Sequence, residues 1–482
     1  MDELYTRSSP AQRDGMAAEF YSREYVLFPA GGASAAGAST IPPSLAAALQ
    51  DAPPPRRTAI LQRLATQVTP ILDKGMLDPA LTHRLVAEYL TAAPPRAAAD
   101  AVEALAGPAL MRMVHTRDGA TAAAAVLALG TAKDRKKAVK AMKGHVGTMA
   151  RDEWASGVLG AALTHTDDTQ LLSKVISAEL GAALDAGDAL TSLLSHKHAR
   201  RVLLQVLEPG SGRYLPPHTM ALVYPATAAG EAAKRAVEKA AETAEAAGVA
   251  AAAPTPAPAD GEGGDTAAAA AAPTPALGVS KKAGDKRRRE VMGSGPASLG
   301  AKLLASATAG AAPLLRGPGA DVLVEAARGG GRDGVLLDAH GPAVEALRGV
   351  LVADAAAPLP VGGDGEKGEA GQTHALTDFY ASRALKHFAL LAVPGEGEEA
   401  AAPAPGTAAA AEGVRALWRG ALAGRAGALV TGHAAKVVAA VWTALSASGA
   451  AGVAELAAAR EELGKAVGDV DAWAGGVLKR AE

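Results

Sequence analysis

Residues 115–144 read "HTRDGATAAAAVLALGTAKDRKKAVKAMKG". The pattern is one apolar helix made almost wholly of alanine, a short turn, and one basic helix carrying Lys133, Arg135, Lys136, Lys137, Lys140 and Lys143. Seven other segments repeat the first helix in altered form: "YSREYVLF" (21–28), "LTHRLVAEYL" (81–90), "WASGVLGAAL" (154–163), "HARRVLLQVL" (198–207), "PGADVLVEAA" (318–327), "YASRALKHFA" (380–389) and "HAAKVVAAVW" (433–442). Each has a small residue at its second position: Ser22, Thr82, Gly119, Ala155, Ala199, Gly319, Ala381 and Ala434. An apolar residue follows three positions later. The spacings from 82 to 119 and from 119 to 155 are 37 and 36 residues. A helical unit at that period marks an α-solenoid, whose units bury their faces only by stacking on neighbours.

Composition agrees with helices packed closely. Aromatic residues are 3% of the 482, so the core must be made of Ala, Leu and Val, which suits stacked helices better than sheets. The chain has no cysteine, which excludes disulfides, Cys-ligated zinc and a thiol nucleophile. A formal net charge of −2 gives no global attraction to polyanions, so any such site must be a local patch. The polar start "MDELYTRSSPAQRDG" lacks a signal-peptide pattern, and no apolar run approaches the ~20 residues of a membrane span. The protein is therefore expected to be soluble and intracellular, with no membrane partner.

Three regions are set by this reading: a helical array over 1–224, an Ala/Pro/Gly-rich linker over 225–280, and a second helical region over 281–482 with low-complexity insertions at 353–374 and 394–412. The run at 249–280 cannot bury a core and should be cut first by protease, leaving two folded fragments. Residues 29–43 read as a flexible loop, and 230–248 as a solvated helix. In "TDDTQLLSKVISAEL", Asp168 is placed to cap the following helix. His165 and Asp167 read as loop residues, with a metal site as the alternative.

The stretch from Val114 to Gly144 also carries a resemblance. Its His-Thr-x-Asp-Gly, Gly-Thr-x-Lys-Asp-Arg-Lys and Lys-x-Met-Lys elements resemble the Puf-A branch of Pumilio-like proteins. "DDTQLLSKVI", "TAAPP" and "KKAGDKRRREVM" are similar to that branch too, the last to the start of its C-terminal CPL region. The resemblance implies an all-α Pumilio-like superhelix of repeats of about 36 residues. It implies binding to RNA and DNA without a base code, a nuclear and nucleolar location, and a role in large-subunit ribosome biogenesis, with pre-ribosomal RNA and pre-ribosomal assembly proteins as partners. Some members of the family also repress mRNA translation. The match starts inside a repeat at Met1, so the family's basic N-terminal segment and first repeats are expected to be missing. Phe20, Tyr21, Tyr25 and Phe28 are then expected to lie partly bare.

Sequence-reading Pumilio repeats offer a base two or three side chains from one helix. On the alignment above these are the first, second and fifth residues after the small one. The fifth normally carries Gln or Glu, but here it is Leu27, Ala87, Ala124, Gly160, Leu204, Val324, Lys386 and Ala439. The slots keep positive charge at Arg23, His83, Arg84, Arg200, Arg201, Arg383, Lys386 and Lys436. Cations without base-edge partners fit phosphate contact, which positions a protein without specifying sequence. They also fit a merely soluble helix face.

The nucleic-acid candidates are Arg84, Arg200, Arg201, Arg383 and Lys436, with Lys133, Lys136, Lys137 and Lys140 of the basic helix. That helix reads either as a track for phosphates or as a solvated outer face. Lys281, Lys282, Lys286, Arg287, Arg288 and Arg289 read as a nuclear-import signal, an RNA patch or the exposed first turn of a helix. No enzymatic motif survives inspection. "GPASLGAK" (295–302) has Ala301 between Gly300 and Lys302 and no strand before it, and no cofactor or metal motif is present. The expected function is non-enzymatic RNA binding. A protein-only scaffold and a sequence-specific translational repressor are the alternatives.

Overall fold

The computed structural model describes residues 2–23, 41–50, 52–185, 193–226, 282–358, 373–395, 403–448 and 453–480. Among these the secondary structure is helix and turn, with no strand. The chain forms two compact units, one of residues 1–138 with 224–279 and one of 139–223 with 280–482.

In the first unit the helices Ala80–Ala92 and Arg117–Leu129 carry two consecutive repeat markers and pack on each other, backed by Pro54–Asp73 and Pro95–Leu105. The motifs of the opening stretch are the joints of this stack. Thr116 caps the alanine helix by accepting from Gly119 N at 3.1 Å. A Cβ on Gly119 would lie 2.1 Å from the Met113 carbonyl oxygen, so only glycine fits there. Thr131 and Asp134 then form a reciprocal capping box. Asp134 Oδ2 accepts from Thr131 N at 3.1 Å and Oγ1 at 2.6 Å, and Thr131 Oγ1 accepts from Asp134 N at 3.3 Å. Arg135 is buried and donates to the Leu127 and Ala128 carbonyls, closing the end of the alanine helix.

The expectation of a bare N-terminal aromatic cluster is corrected for Tyr21. It is 0% exposed and donates to the Glu88 carboxylate. Phe20 is half-buried, and Tyr25 and Phe28 lie outside the described residues.

In the second unit five marker helices follow one another in space: Ala155–His165, Ala199–Leu207, Ala320–Ala327, Phe379–Leu390 and Gly432–Ala447. Asp168 caps the next helix by accepting from Leu171 N at 3.0 Å. One π-helical turn, Ser173–Ser177, lets both serines of that turn donate to the carbonyls of Glu290 and Val291. His165 and Asp167 are held by protein partners, His165 Nε2 by the Val223 carbonyl at 2.9 Å and Asp167 by Arg287 at 3.5 Å. Among the described residues no group of acids and histidines is placed to hold a metal. Nor is any helix long and apolar enough to cross a membrane. The low-complexity reading of 394–412 is corrected from Pro405 onward, where a helix runs to Leu417 with Ala409 and Ala410 buried. The helix Leu337–Ala356 likewise covers the start of the 353–374 segment.

Residues 227–281, which hold nearly all of the linker and the expected solvated helix, lie outside the described residues. Residues 139–223 share the second unit with 280–482, so the array expected over 1–224 divides within itself. Thr169 Oγ1 donates to Glu290, Arg288 donates to the Leu207 carbonyl at 3.0 Å, and Arg200 donates to the Pro318 carbonyl at 2.8 Å. A single proteolytic nick between 249 and 280 is therefore expected to leave one particle, not two fragments. Size-exclusion chromatography of the nicked protein checks this, and separate elution of the two pieces would refute it.

Candidate nucleic-acid interface

The small marker residues share one physical cause. All but Ser22, which follows the end of the helix Pro10–Tyr21, sit near the start of a helix pressed against its neighbour, and Thr82, Ala155, Ala199, Ala381 and Ala434 are all buried. At Gly319 a Cβ would meet Leu314 Cδ2 at 2.5 Å. The alignment that defines the slots therefore rests on steric demand as well as on letters.

The fifth slots are closed. Ala87, Ala124, Gly160, Leu204, Val324 and Ala439 are buried, and Lys386 is half-buried. Leu27 lies outside the described residues. In the repeat that starts at Ala155 the cover is explicit, because the helix Pro217–Val223 lies across it. A Cβ on Gly157, the second slot, would meet Leu222 Cδ1 at 2.6 Å. One on Gly160, the fifth, would meet Val223 Cγ2 at 2.8 Å. No base edge can reach these positions.

The cationic candidates divide into two kinds. Arg84 belongs to the protein's interior. It pairs with Asp14 at 2.9 Å and Glu88 at 3.1 Å and donates to the Pro43 carbonyl at 2.7 Å. His83 is buried between Thr116 and the Leu77 carbonyl, and burial lowers its pKa, so it adds no charge to the face. The import reading is corrected in the same way. Lys282 to Arg289 fall mostly in the helix Gly284–Met292, and Arg287 is 6% exposed. Arg288 donates to Asp333, Arg289 lies 3.5 Å from Asp338, and Lys282 lies against Glu290. Only Lys286 of the described members is exposed, and Lys281 lies outside the described residues. A transport receptor needs such a run extended and accessible, and here Lys282, Arg287, Arg288 and Arg289 are already partnered.

Arg200, Arg201, Arg383 and Lys436 lie on three of the marker helices that follow one another in the second unit. Among the described residues none of the four forms an ion pair. Arg201 has a buried Nε with no acceptor, and burial together with the adjacent Arg200 pushes its pKa down. A phosphate beside the guanidinium would favour its charged form. In the helix Ala132–Ala141, Lys136 and Lys140 are exposed one turn apart, whereas Lys133 and Lys137 share Glu103 at 3.8 and 3.2 Å.

The structure adds residues that the slot pattern omits. A cleft of about 480 Å³ is lined by Arg200, Arg213, Arg316, Arg383, Tyr380 and His387 among others. Tyr380 and Phe379 are 56% and 52% exposed, in a chain where aromatic residues are scarce. Two adjacent aromatics at a helix start cannot both face a core on one side, and that was the available signal.

No family model matches the chain. Pumilio homolog 24 of Arabidopsis thaliana is 40% identical over 216 residues, 45% of this chain and 32% of that protein. Human Pumilio homolog 3 is 33% identical over 168 residues, 35% of this chain and 24% of that protein. The chain thus spans a third or less of these curated relatives. The crystal structure of human Puf-A superposes with a TM-score of 0.64 at 20% identity, covering 99% of this chain and 75% of that one. In fold the chain is Puf-A-like, an all-α solenoid of Pumilio-type repeats. Human Puf-A in complex with DNA gives a TM-score of 0.61 over the same shares.

Beneath the cleft the Puf-A-like chain buries a polar cluster. Tyr214 Oη donates to Glu325 Oε1 at 2.5 Å and lies 2.9 Å from His387 Nε2. Burial, followed by Arg213, Arg328, Arg383 and Lys386, pushes the His387 pKa down to about 3. The folded protein therefore refuses a proton that the unfolded chain accepts near pH ~6.5. Its contribution to stability is full above that pH and is lost as pH falls toward 3. Buried His83 and His374 act in the same direction, and Glu325, whose pKa is raised by burial, acts in the opposite one. Comparing melting between pH 7.5 and 5.5 for the wild type and His387→Gln isolates the His387 share. The variant is expected to lose less on acidification.

Proposed function

We propose that this Puf-A-like chain binds RNA, and DNA less selectively than a base-reading Pumilio protein would, through phosphate contacts without a base code. The reading rests chiefly on one observation. Six fifth slots are buried and apolar, while Arg201, Arg383 and Lys436 occupy second slots with no acidic partner among the described residues. Cations facing solvent with no base-edge partner beside them recognise the charged backbone that all sequences share. Nothing in the arrangement calls for catalysis. The resemblance to Puf-A extends the reading to pre-ribosomal RNA, assembly of the large ribosomal subunit, and the nucleolus.

Fluorescence anisotropy with RNAs of equal length and unrelated sequence tests the binding mode. Affinities are expected to agree within a few fold and to fall together with salt, with an exponent of about 0.7–0.9 per phosphate contacted. A hundredfold preference for one short motif, surviving at high salt, would instead establish a sequence-specific repressor. Loss of large-subunit precursor processing on depletion of the protein tests the cellular role separately.

A further inference from the structure

We infer that the cleft beside Tyr380 is a site for an unpaired nucleotide, with the base stacked on the Tyr380 ring and its phosphate held by Arg383, Arg213 and Arg200. The inference rests on the proposed RNA-binding reading and adds a preference to it: single strands, loops and ends over paired helix.

Four arginines line the cleft against one acid, Asp321. Arg316 is neutralised within the fold, since its guanidinium holds Asp354 by two hydrogen bonds of 2.8 and 3.0 Å and its Nε donates to the Thr373 carbonyl at 2.7 Å. Arg200 uses one N–H on the Pro318 carbonyl and keeps the rest of its fork. Arg213 and Arg383 are exposed. The cleft therefore carries a surplus of positive charge next to an aromatic surface.

The aromatic surface is braced. Phe379 meets Tyr380 edge-on, with centroids 5.2 Å apart, and meets His433 edge-on at 5.8 Å. Asp378 holds the turn that presents both rings by accepting from Tyr380 N and Ala381 N, each at 2.9 Å. Tyr380 lies one residue before the small marker Ala381, outside the three base-reading slots, so it does not belong to a repeat code. A ring held in place beside phosphate-binding cations stacks any base, but only a base that has left its pair. A protein partner that matched the aromatic pair would also have to neutralise the arginines.

The test compares a 12-nucleotide strand with the same strand in a 12-base-pair duplex, for the wild type, Tyr380→Ala, Tyr380→Phe and Arg383→Ala. Tyr380→Ala is expected to weaken the single strand by about fivefold or more, to leave the duplex within about twofold, and to leave the salt slope unchanged. Tyr380→Phe should retain the wild-type preference, and Arg383→Ala should weaken both nucleic acids and make the slope shallower. A strand bearing 5-bromouridine should photocross-link to Tyr380, a readout independent of affinity. If Tyr380→Ala binds the strand as the wild type does, or loses strand and duplex alike, the inference is overturned and the aromatic pair passes to a protein partner. If the wild type binds neither nucleic acid even at low salt, the RNA-binding reading itself fails.

Discussion

Replacing Arg200, Arg201 and Arg383 together by alanine is expected to weaken RNA binding roughly a hundredfold at about 0.1 M salt. Each cation that neutralises a phosphate releases a fraction of one counterion, which at this salt is a factor of roughly five to eight in affinity. Three such contacts multiply. The slope of log affinity against log salt should become shallower by about two to three units, equally for unrelated sequences. The fold should survive, because none of the three forms an ion pair among the described residues, Arg201 Nε has no acceptor, and the side-chain hydrogen bond lost inside the protein is that of Arg200 to the Pro318 carbonyl. Arg84→Ala is the informative contrast. It breaks the pairs with Asp14 and Glu88 inside the first unit and should lower the melting temperature while leaving the salt slope alone. Equal binding by the triple variant and the wild type would place the RNA elsewhere on the molecule.

Gly160→Gln, which writes a base-reading side chain into a fifth slot, is expected to damage the fold without conferring sequence preference. The new Cβ would start 2.8 Å from Val223 Cγ2, and overpacking of this kind costs about 1–3 kcal/mol. Burying the amide without partners adds about 1–3 kcal/mol. A drop in melting temperature of roughly 10 °C follows for the second unit. Val223→Ala in the same chain should return part of the loss, since it removes the methyl groups in the way, and a double-mutant cycle measures how much. A variant that melted like the wild type and preferred one base would show that the slot is open.

The repeat was legible from residues 118–163 because packing leaves no choice there. Gly119 has no room for a Cβ, and Ala155 is buried at the matching place. The family motifs were legible too, but their chemistry is joinery: Thr116 and Asp134 cap helices, and Arg135 closes one. What the sequence could not disclose is which cations are already partnered. Arg84 meets Asp14 across 70 positions, and Arg288 meets Asp333 across 45. No local pattern announces such pairs, so its slot promoted Arg84 and the density of its basic run promoted Arg288. Tyr380 was missed for the opposite reason. The slots of that repeat are Ser382, Arg383 and Lys386, and the ring stands two positions before the first of them.

The row of marker helices in the second unit also acts as a ruler. Packed helices stand about 8–10 Å apart, and three steps separate the Arg201 helix from the Lys436 helix. From Arg201 to Lys436, crossing the Ala320–Ala327 and Phe379–Leu390 helices, the span is about 24–30 Å by that spacing. A stacked strand rises about 3.4 Å per nucleotide. Some seven to nine nucleotides are then needed to touch both ends at once. With the letters of the message unread, length becomes the property that the protein distinguishes. Oligonucleotides below that threshold lose one anchor whatever their sequence.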